Sequence, residues 1–259
     1  MRPVVTLLTD FGTADGYVAE MKGVILTRAP EAQVVDVTHD IPPQDVEYGR
    51  LAVARYWRRF PEGTVHLAVV DPGVGSARAA LAVESDGRWL VGPDNGLLSP
   101  ALLVAGARAV ALPVSASAAP TFHGRDVFAP AAASLALGTP LDALGSPMLD
   151  VVIRRTPEPR RLADGSLEGQ VITIDRFGNA VTNVMALRAA SVEVNGTVLP
   201  IRRSYSEVRP GESLALVGST GLIELAVRDG HGARALGVQR GSVVVVRLEP
   251  RARGRGPRA

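Results

Sequence analysis

The 259-residue chain contains no cysteine. That excludes disulfides, thiolate zinc sites and a cysteine nucleophile together, and points to the cytoplasm as the compartment. No run of eighteen apolar residues occurs, so no transmembrane helix is expected. The opening MRPVVTLLTDFG has a short apolar run but no small-residue cleavage site, and is expected to form a first strand, not a signal peptide. Lysine is almost missing: Lys22 is the one lysine among 28 Lys and Arg. A net basic charge is missing as well once the C-terminal arginines are set aside. Residues 248–259, LEPRARGRGPRA, carry four Arg and one Glu, a net of +3, while the whole chain is +2; residues 1–247 therefore sum to −1. The basicity belongs to a Pro/Gly-rich tail at 249–259 that is expected to be disordered, which argues against nucleic acid as the main partner.

What is present is an ordinary globular composition, 46% hydrophobic and 21% charged, long enough for one large domain or two modest ones. Pro3 to Thr9 reads as a buried strand ending at Asp10. Val18, Met21 and Ile25 then recur at helical spacing until Pro30. Residues 33–37 form a short strand, and Asp45 is placed to cap a helix whose inward stripe is Val46, Gly49, Val53 and Trp57. Val65 to Val70 is the next strand, ALAVES and RWLVG pair about the Ser85-Asp86-Gly87 turn, Ser99-Pro100 reads as a cap followed by proline at the first helical position, and residues 107–114 form a further strand. Alternating strands and helices predict an α/β N-terminal domain with a mostly parallel central sheet over residues 1–152. Residues 153–166 are rich in proline and arginine and read as a linker. Short strands with turn signals fill residues 167–248, with Asn195-Gly196 as a strong hairpin signal, so a small all-β barrel or sandwich is expected there.

Four polar groups fall at strand ends or loops: Asp10 with Asp15, Asp71 with Arg78 in VVDPGVGSAR, TFHGRD at 121–126, and IDRFGN at 174–179. A strand delivering Asp71 beside a glycine loop suits a small-molecule site, the glycines permitting close backbone approach. Each group alone is weak, because a lone loop carboxylate is more often a cap than a catalyst. His39, His66 and His231 have no comparably suggestive neighbours, and are expected to be structural or surface residues.

Taken in order, TDFGTADGYVAEMKG, VVDVTHDIPPQDVEYG, VVDPGVGSAR, GPDNGLL, TFHGRDVFAP and IDRFGNAVTN resemble the S-adenosyl-L-methionine (SAM) hydroxide adenosyltransferases, adenosine-forming hydrolases related to fluorinases and chlorinases. The resemblance implies an α/β domain joined to a C-terminal β-barrel, and a homotrimer with each active site between subunits. It implies SAM as substrate, adenosine and L-methionine as products, and neither a metal nor a cofactor. Residue by residue, it makes Asp10 the carboxylate that grips the ribose hydroxyls, and Asp71, Arg78 and His123 the trio that marks the water-using branch. Phe122 joins the substrate-binding residues. Asp175 is implied toward the methionine amino group, Asn179 toward adenine, Phe177 on the purine face, and Ser219 and Glu224 toward the methionine and adenine ends.

Position 71 speaks to the branch, since the halogenating relatives carry tyrosine there and a fixed carboxylate repels a halide. Gly124 and Gln44 stand where fluorinases have serine and tryptophan. Gly230-His231-Gly232-Ala233 departs from the usual Gly-Asn-Ala-Ala and bears on the adenine end of the pocket. The alternatives are a chlorinase-like halide-using adenosyltransferase, a non-catalytic adenosine or SAM-binding protein, a metal-dependent phosphatase ligated by Asp10, Asp15 and Asp71, and an RNA-binding protein working through the arginine tail.

Overall fold

The structure, a computed structural model, describes residues 2–186 and 188–249. The chain divides into two compact units, Met1–Arg155 and Thr156–Ala259. In the first unit the elements run β1 (Val4–Thr9), α1 (Tyr17–Arg28), β2 (Gln33–Thr38), α2 (Val46–Tyr56), β3 (Val65–Val69), β4 (Ala80–Ser85), β5 (Arg88–Pro93), α3 (Ser99–Leu102), β6 (Arg108–Ala111), α4 (Ala129–Ala136) and β7 (Ser146–Pro147). They form one sheet in the order β2-β1-β3-β5-β4-β6-β7. The first four strands pair in parallel, and the pairings from β5 to β7 are antiparallel. The antiparallel part begins with the hairpin expected at residues 85–87, where Asp86 (φ 50°) and Gly87 (φ 69°) both take the left-handed conformation that a two-residue turn needs.

Alternation along the strands supplies both faces of the sheet. Val5, Leu7, Val65, Leu67 and Val69 pack with Met21 and Ile25 of α1 and with α4. Leu8, Ala68 and Val70 face the opposite way, onto Val46 and Val53 of α2 and onto Trp57. Each large side chain buried in this way contributes roughly 1.5–3 kcal/mol. The Asp45 cap forms as expected, accepting the Tyr48 N–H at 2.9 Å. Ser99 does not act as the cap of α3. Leu98 holds that position, and the buried Ser99 hydroxyl donates to the Gly96 carbonyl and accepts the Arg154 N–H.

Strand order reverses beside β1, with β2 on one flank and β3 on the other, and Thr9 pairs with Val69 at the carboxyl ends. Open α/β sheets form their ligand crevice at such a reversal. The next residues are Asp10 and, two beyond β3, Asp71.

The second unit comprises β8 (Arg160–Arg161), β9 (Leu167–Ile174), β10 (Ala180–Met185), β11 (Ala189–Val194), β12 (Thr197–Arg202), β13 (Ser213–Val217), β14 (Leu222–Val227), α5 (Gly232–Ala235) and β15 (Val243–Leu248). The order β10-β14-β13-β12-β11-β15-β9 closes through β9–β10 pairing into a seven-stranded barrel, with β8 added outside β9. All pairings are antiparallel except β12 with β13. The β11–β12 hairpin turns at Asn195 (φ 48°) and Gly196 (φ 74°), as their sequence indicated. Val171, Val184, Val192, Leu225 and Val244 fill the barrel. Of the basic tail expected at 249–259, all but Glu249 lies outside the described residues.

Candidate active site

Arg78 joins the Asp71 and His123 loops. Its Nε donates to Asp71 Oδ1 at 2.9 Å and one terminal nitrogen donates to Asp71 Oδ2, a two-pronged grip on the carboxylate. That same nitrogen lies 3.0 Å from His123 Nδ1, and the other terminal nitrogen donates to the Ala79 carbonyl at 3.1 Å. The Arg78 and Asp71 side chains are 10% and 5% exposed, so the pair is largely out of water. Arginine has no acceptor atom; Nδ1 of His123 therefore accepts, and the ring proton of neutral His123 sits on Nε2. Burial first, and the Arg78 cation second, hold the His123 pKa below its ordinary value. A neutral imidazole with a committed Nδ1 and a protonated Nε2 follows.

Close backbone packing brings these loops together. Gly75 has φ 75°, and a Cβ there would stand 2.6 Å from the Pro120 carbonyl. Only glycine lets the Asp71 loop lie against the start of TFHGRD, so this is what the glycine accomplishes. Ser76 steadies the loop by donating to the Gly73 carbonyl at 2.7 Å. His123 opens a single π-helical turn, Gly124–Phe128, a wide turn often found at functional sites. Asp126 fastens that turn by accepting the Ala119 N–H at 2.8 Å and Arg125 Nε at 2.7 Å, and the Arg125 hydrogen bond holds its carboxyl below the ordinary range. Phe128, fully buried, lies beneath both partners, with the Arg78 guanidinium 5.3 Å from its ring and the His123 ring edge-on at 6.5 Å. The sequence does not single out Phe128. Its only signal was an aromatic five residues after His123, which is indistinguishable from a core position.

Asp10 stands at the end of β1 and accepts the Gln44 N–H at 2.8 Å through Oδ2. Gln44 itself has φ 65°, a conformation that costs a non-glycine residue energy and is held here by the surrounding loop. Phe122 is half-buried in an edge-to-face cluster with Phe11 and Tyr17, at 6.0 and 5.3 Å. Asp15 is exposed. Among the described residues no three His, Asp or Glu side chains converge as a metal-binding group.

In the barrel unit, Asp175 organises the turn between β9 and β10. Its Oδ1 accepts the N–H groups of Phe177 and Asn179, each at 2.9 Å, and Oδ2 accepts Asn179 Nδ2 at 3.0 Å. Asn179 is buried, whereas Phe177 is 77% exposed. Phe177 and Asn179 line a cavity of about 600 Å³ with Tyr205, Ser206, Val227, Arg228, Asp229 and Gly230. Tyr205, absent from the sequence-derived set, takes a hydrogen bond from Asn179 Nδ2 at 3.3 Å. Burial, then the carboxylates of Glu224 and Asp175, push its phenol pKa up, so it stays a neutral hydroxyl. Glu224 is buried with its carboxylate against Gly218, and Ser219 is exposed on the adjoining turn. At the departure Gly230-His231-Gly232-Ala233, the His231 ring packs on Gly178, and its Nδ1 accepts the Arg234 N–H at 3.3 Å.

Residues 5–145 match the SAM hydroxide adenosyltransferase N-terminal domain, and residues 169–245 match the C-terminal domain of that family. The chain is 46% identical over 258 residues to the (R)-S-adenosyl-L-methionine hydrolase of Thermus thermophilus, covering 94% of this chain and 99% of the relative. A fluorinase from Actinopolyspora mzabensis is 30% identical over 270 residues, covering 87% of this chain and 90% of that enzyme. A solved structure of a conserved protein from Thermotoga maritima superposes with a TM-score of 0.85 at 30% identity, covering 93% of this chain and 99% of that one. With both domain models matched in order, the first of them over the stretch that holds Asp71, Arg78 and His123, the chain belongs to the SAM hydroxide adenosyltransferase family.

Proposed function

We infer that this protein hydrolyses SAM to adenosine and L-methionine by displacement at ribose C5′, with water or hydroxide as nucleophile. The observation that carries the reading is the fork of Arg78 on Asp71 together with its contact to His123 Nδ1. The attacking oxygen forms a bond to C5′ as the C5′–S bond breaks. The bonding pair passes to sulfur, and L-methionine leaves with a neutral thioether. Because the sulfonium loses its charge as it departs, the enzyme's main task is to align the nucleophile, worth up to roughly 7–11 kcal/mol.

The tautomer of His123 divides the labour between the two loops. Its Nε2–H donates to the water oxygen and fixes it, and cannot take a proton while Nδ1 is committed to Arg78. The proton released by the water therefore goes to Asp71, whose oxygens keep lone pairs beyond those used by the arginine. Asp71 also disfavours a halide in the same place, which supports water over chloride or fluoride. The Thermus relative is named for the R configuration, which supports (R)-SAM as the substrate.

Asp10 holds the ribose diol, its two acceptor oxygens suiting two O–H donors, and Phe122 flanks the sugar. Asp175 faces the methionine amino group, Asn179 the adenine, and Phe177 the purine face. Ser219 and Glu224 contact the methionine and adenine ends. These roles draw on both units, and the protein acts as a cytoplasmic homotrimer with the two residue sets supplied by neighbouring subunits. No metal or cofactor is required. Chromatography of SAM incubations tests the reading: wild type yields adenosine and L-methionine with EDTA present, and Asp71→Ala yields no adenosine above background. Undiminished turnover by Asp71→Ala would refute the mechanism.

A further inference from the structure

His39 has no task in the mechanism above, yet it is 6% exposed and committed on both sides. Its Nδ1 lies 2.8 Å from Thr9 Oγ1. Its Nε2 lies 3.0 Å from Asp36 Oδ1, in a contact bent away from an in-line hydrogen bond. The other Asp36 oxygen accepts Lys22 Nζ at 2.6 Å, so the chain's one lysine anchors the far end. Burial pushes the Asp36 carboxyl up, but the contributions of Lys22 and His39 outweigh it and hold the group below its ordinary value. An anion beside Nε2 keeps the ring proton there and leaves Nδ1 as an acceptor. The Thr9 hydroxyl consequently donates to His39. Its oxygen accepts the Phe11 N–H at 3.3 Å, and the His39 carbonyl accepts the Gly12 N–H at 2.9 Å.

Asp10 lies between these fixed points. Thr9 precedes it, the amides of Phe11 and Gly12 follow it, and the Gln44 N–H holds its Oδ2. Packing alone does not demand such a row, since apolar residues would fill the space beside the sheet without two buried polar groups to satisfy. We propose that His39 is a positioning residue for Asp10, acting through Thr9 and the Phe11–Gly12 backbone to aim the Asp10 carboxylate at the ribose diol. The inference rests on the reading of Asp10 as the ribose ligand.

The test compares binding of adenosine with 2′,3′-dideoxyadenosine, which lacks the diol, by titration calorimetry on the full-length protein. Wild type is expected to prefer adenosine by roughly tenfold or more, the worth of one hydrogen bond to a charged group. Asp10→Ala removes that preference. His39→Ala and the near-isosteric Thr9→Val cut it several-fold and leave dideoxyadenosine affinity unchanged, and His39→Asn, with an amide oxygen to accept from Thr9, restores part of it. If His39→Ala fails to fold, Thr9→Val and His39→Asn decide the matter. Preference retained in Asp10→Ala overturns the Asp10 reading, and the proposal with it. Preference lost in Asp10→Ala but kept in Thr9→Val and His39→Ala overturns the role of His39 alone, as does an equal loss of affinity for both nucleosides.

Discussion

Replacing Arg78 by methionine leaves the Asp71 carboxylate, 5% exposed, without its two-pronged partner, and His123 Nδ1 without its donor. Removing one member of a buried pair costs about 3–5 kcal/mol, because the charge left behind is desolvated and unpaired. With so little exposure, solvent screening reduces that figure little. In a protein of this length each kcal/mol lowers Tm by roughly 2–4 °C, so a fall of roughly 6–20 °C is expected by calorimetry. Arg78→Lys keeps the charge but cannot reproduce the fork or reach both loops with the same geometry. It is expected to recover part of the Tm and little of the turnover, measured as adenosine formed from SAM. Stability and turnover close to wild type in Arg78→Met would refute the reading of Arg78 as the link between Asp71 and His123.

The rate should fall on acidification with an apparent pKa below 6.5, because burial and then Arg78 keep His123 neutral and protonation would oppose the Arg78 contact; a pH–kcat/KM profile checks this. His66, fully buried with Nδ1 2.8 Å from the Thr6 hydroxyl, has its pKa pulled down to about 4 by burial and then by Arg88. The unfolded chain therefore binds a proton at this site first, and stability is lost as pH falls from about 6.5 to about 4, by about 3 kcal/mol in all. Urea melts across that window should show the loss, and His66→Gln should flatten it. Gly75→Ala forces a Cβ toward the Pro120 carbonyl and a strained φ; it is expected to lower turnover at least tenfold by separating the Asp71 and His123 loops, whereas wild-type kinetics would show that the close approach is dispensable.

Features set by local chemistry were legible in the sequence. The spacing of Val18, Met21 and Ile25, the Asp45 cap, and the Asn195-Gly196 turn each specify structure within a few residues, and all three form. Asp10 and Asp71 were legible as strand-end carboxylates because a buried parallel strand leaves its next polar residue at the crevice. What escaped depends on contacts between distant positions. The barrel itself was expected and forms, but which strands close it (β9 with β10) and the parallel β12–β13 pair are not written in strand periodicity. Ser99 carried the pattern of a cap, but Leu98 takes that position, and the Ser99 hydroxyl instead donates to the Gly96 carbonyl and accepts the N–H of Arg154, 55 positions away. Tyr205 joins Asn179 across 26 positions, and His39 meets Thr9 across 30, so neither partnership left a mark in its own segment. The aromatic cluster of Phe11, Tyr17 and Phe122 was hidden for the same reason.

The central claim is that water, held between Asp71 and His123, displaces methionine at C5′. Hydrolysis of (R)-SAM in oxygen-18 water, followed by mass spectrometry of the nucleoside product in the presence and absence of chloride and fluoride, tests it most directly. The account predicts adenosine carrying one heavy oxygen at the 5′ position, in the same yield with either halide. Unlabelled adenosine, or a 5′-halo nucleoside appearing when halide is added, would contradict it.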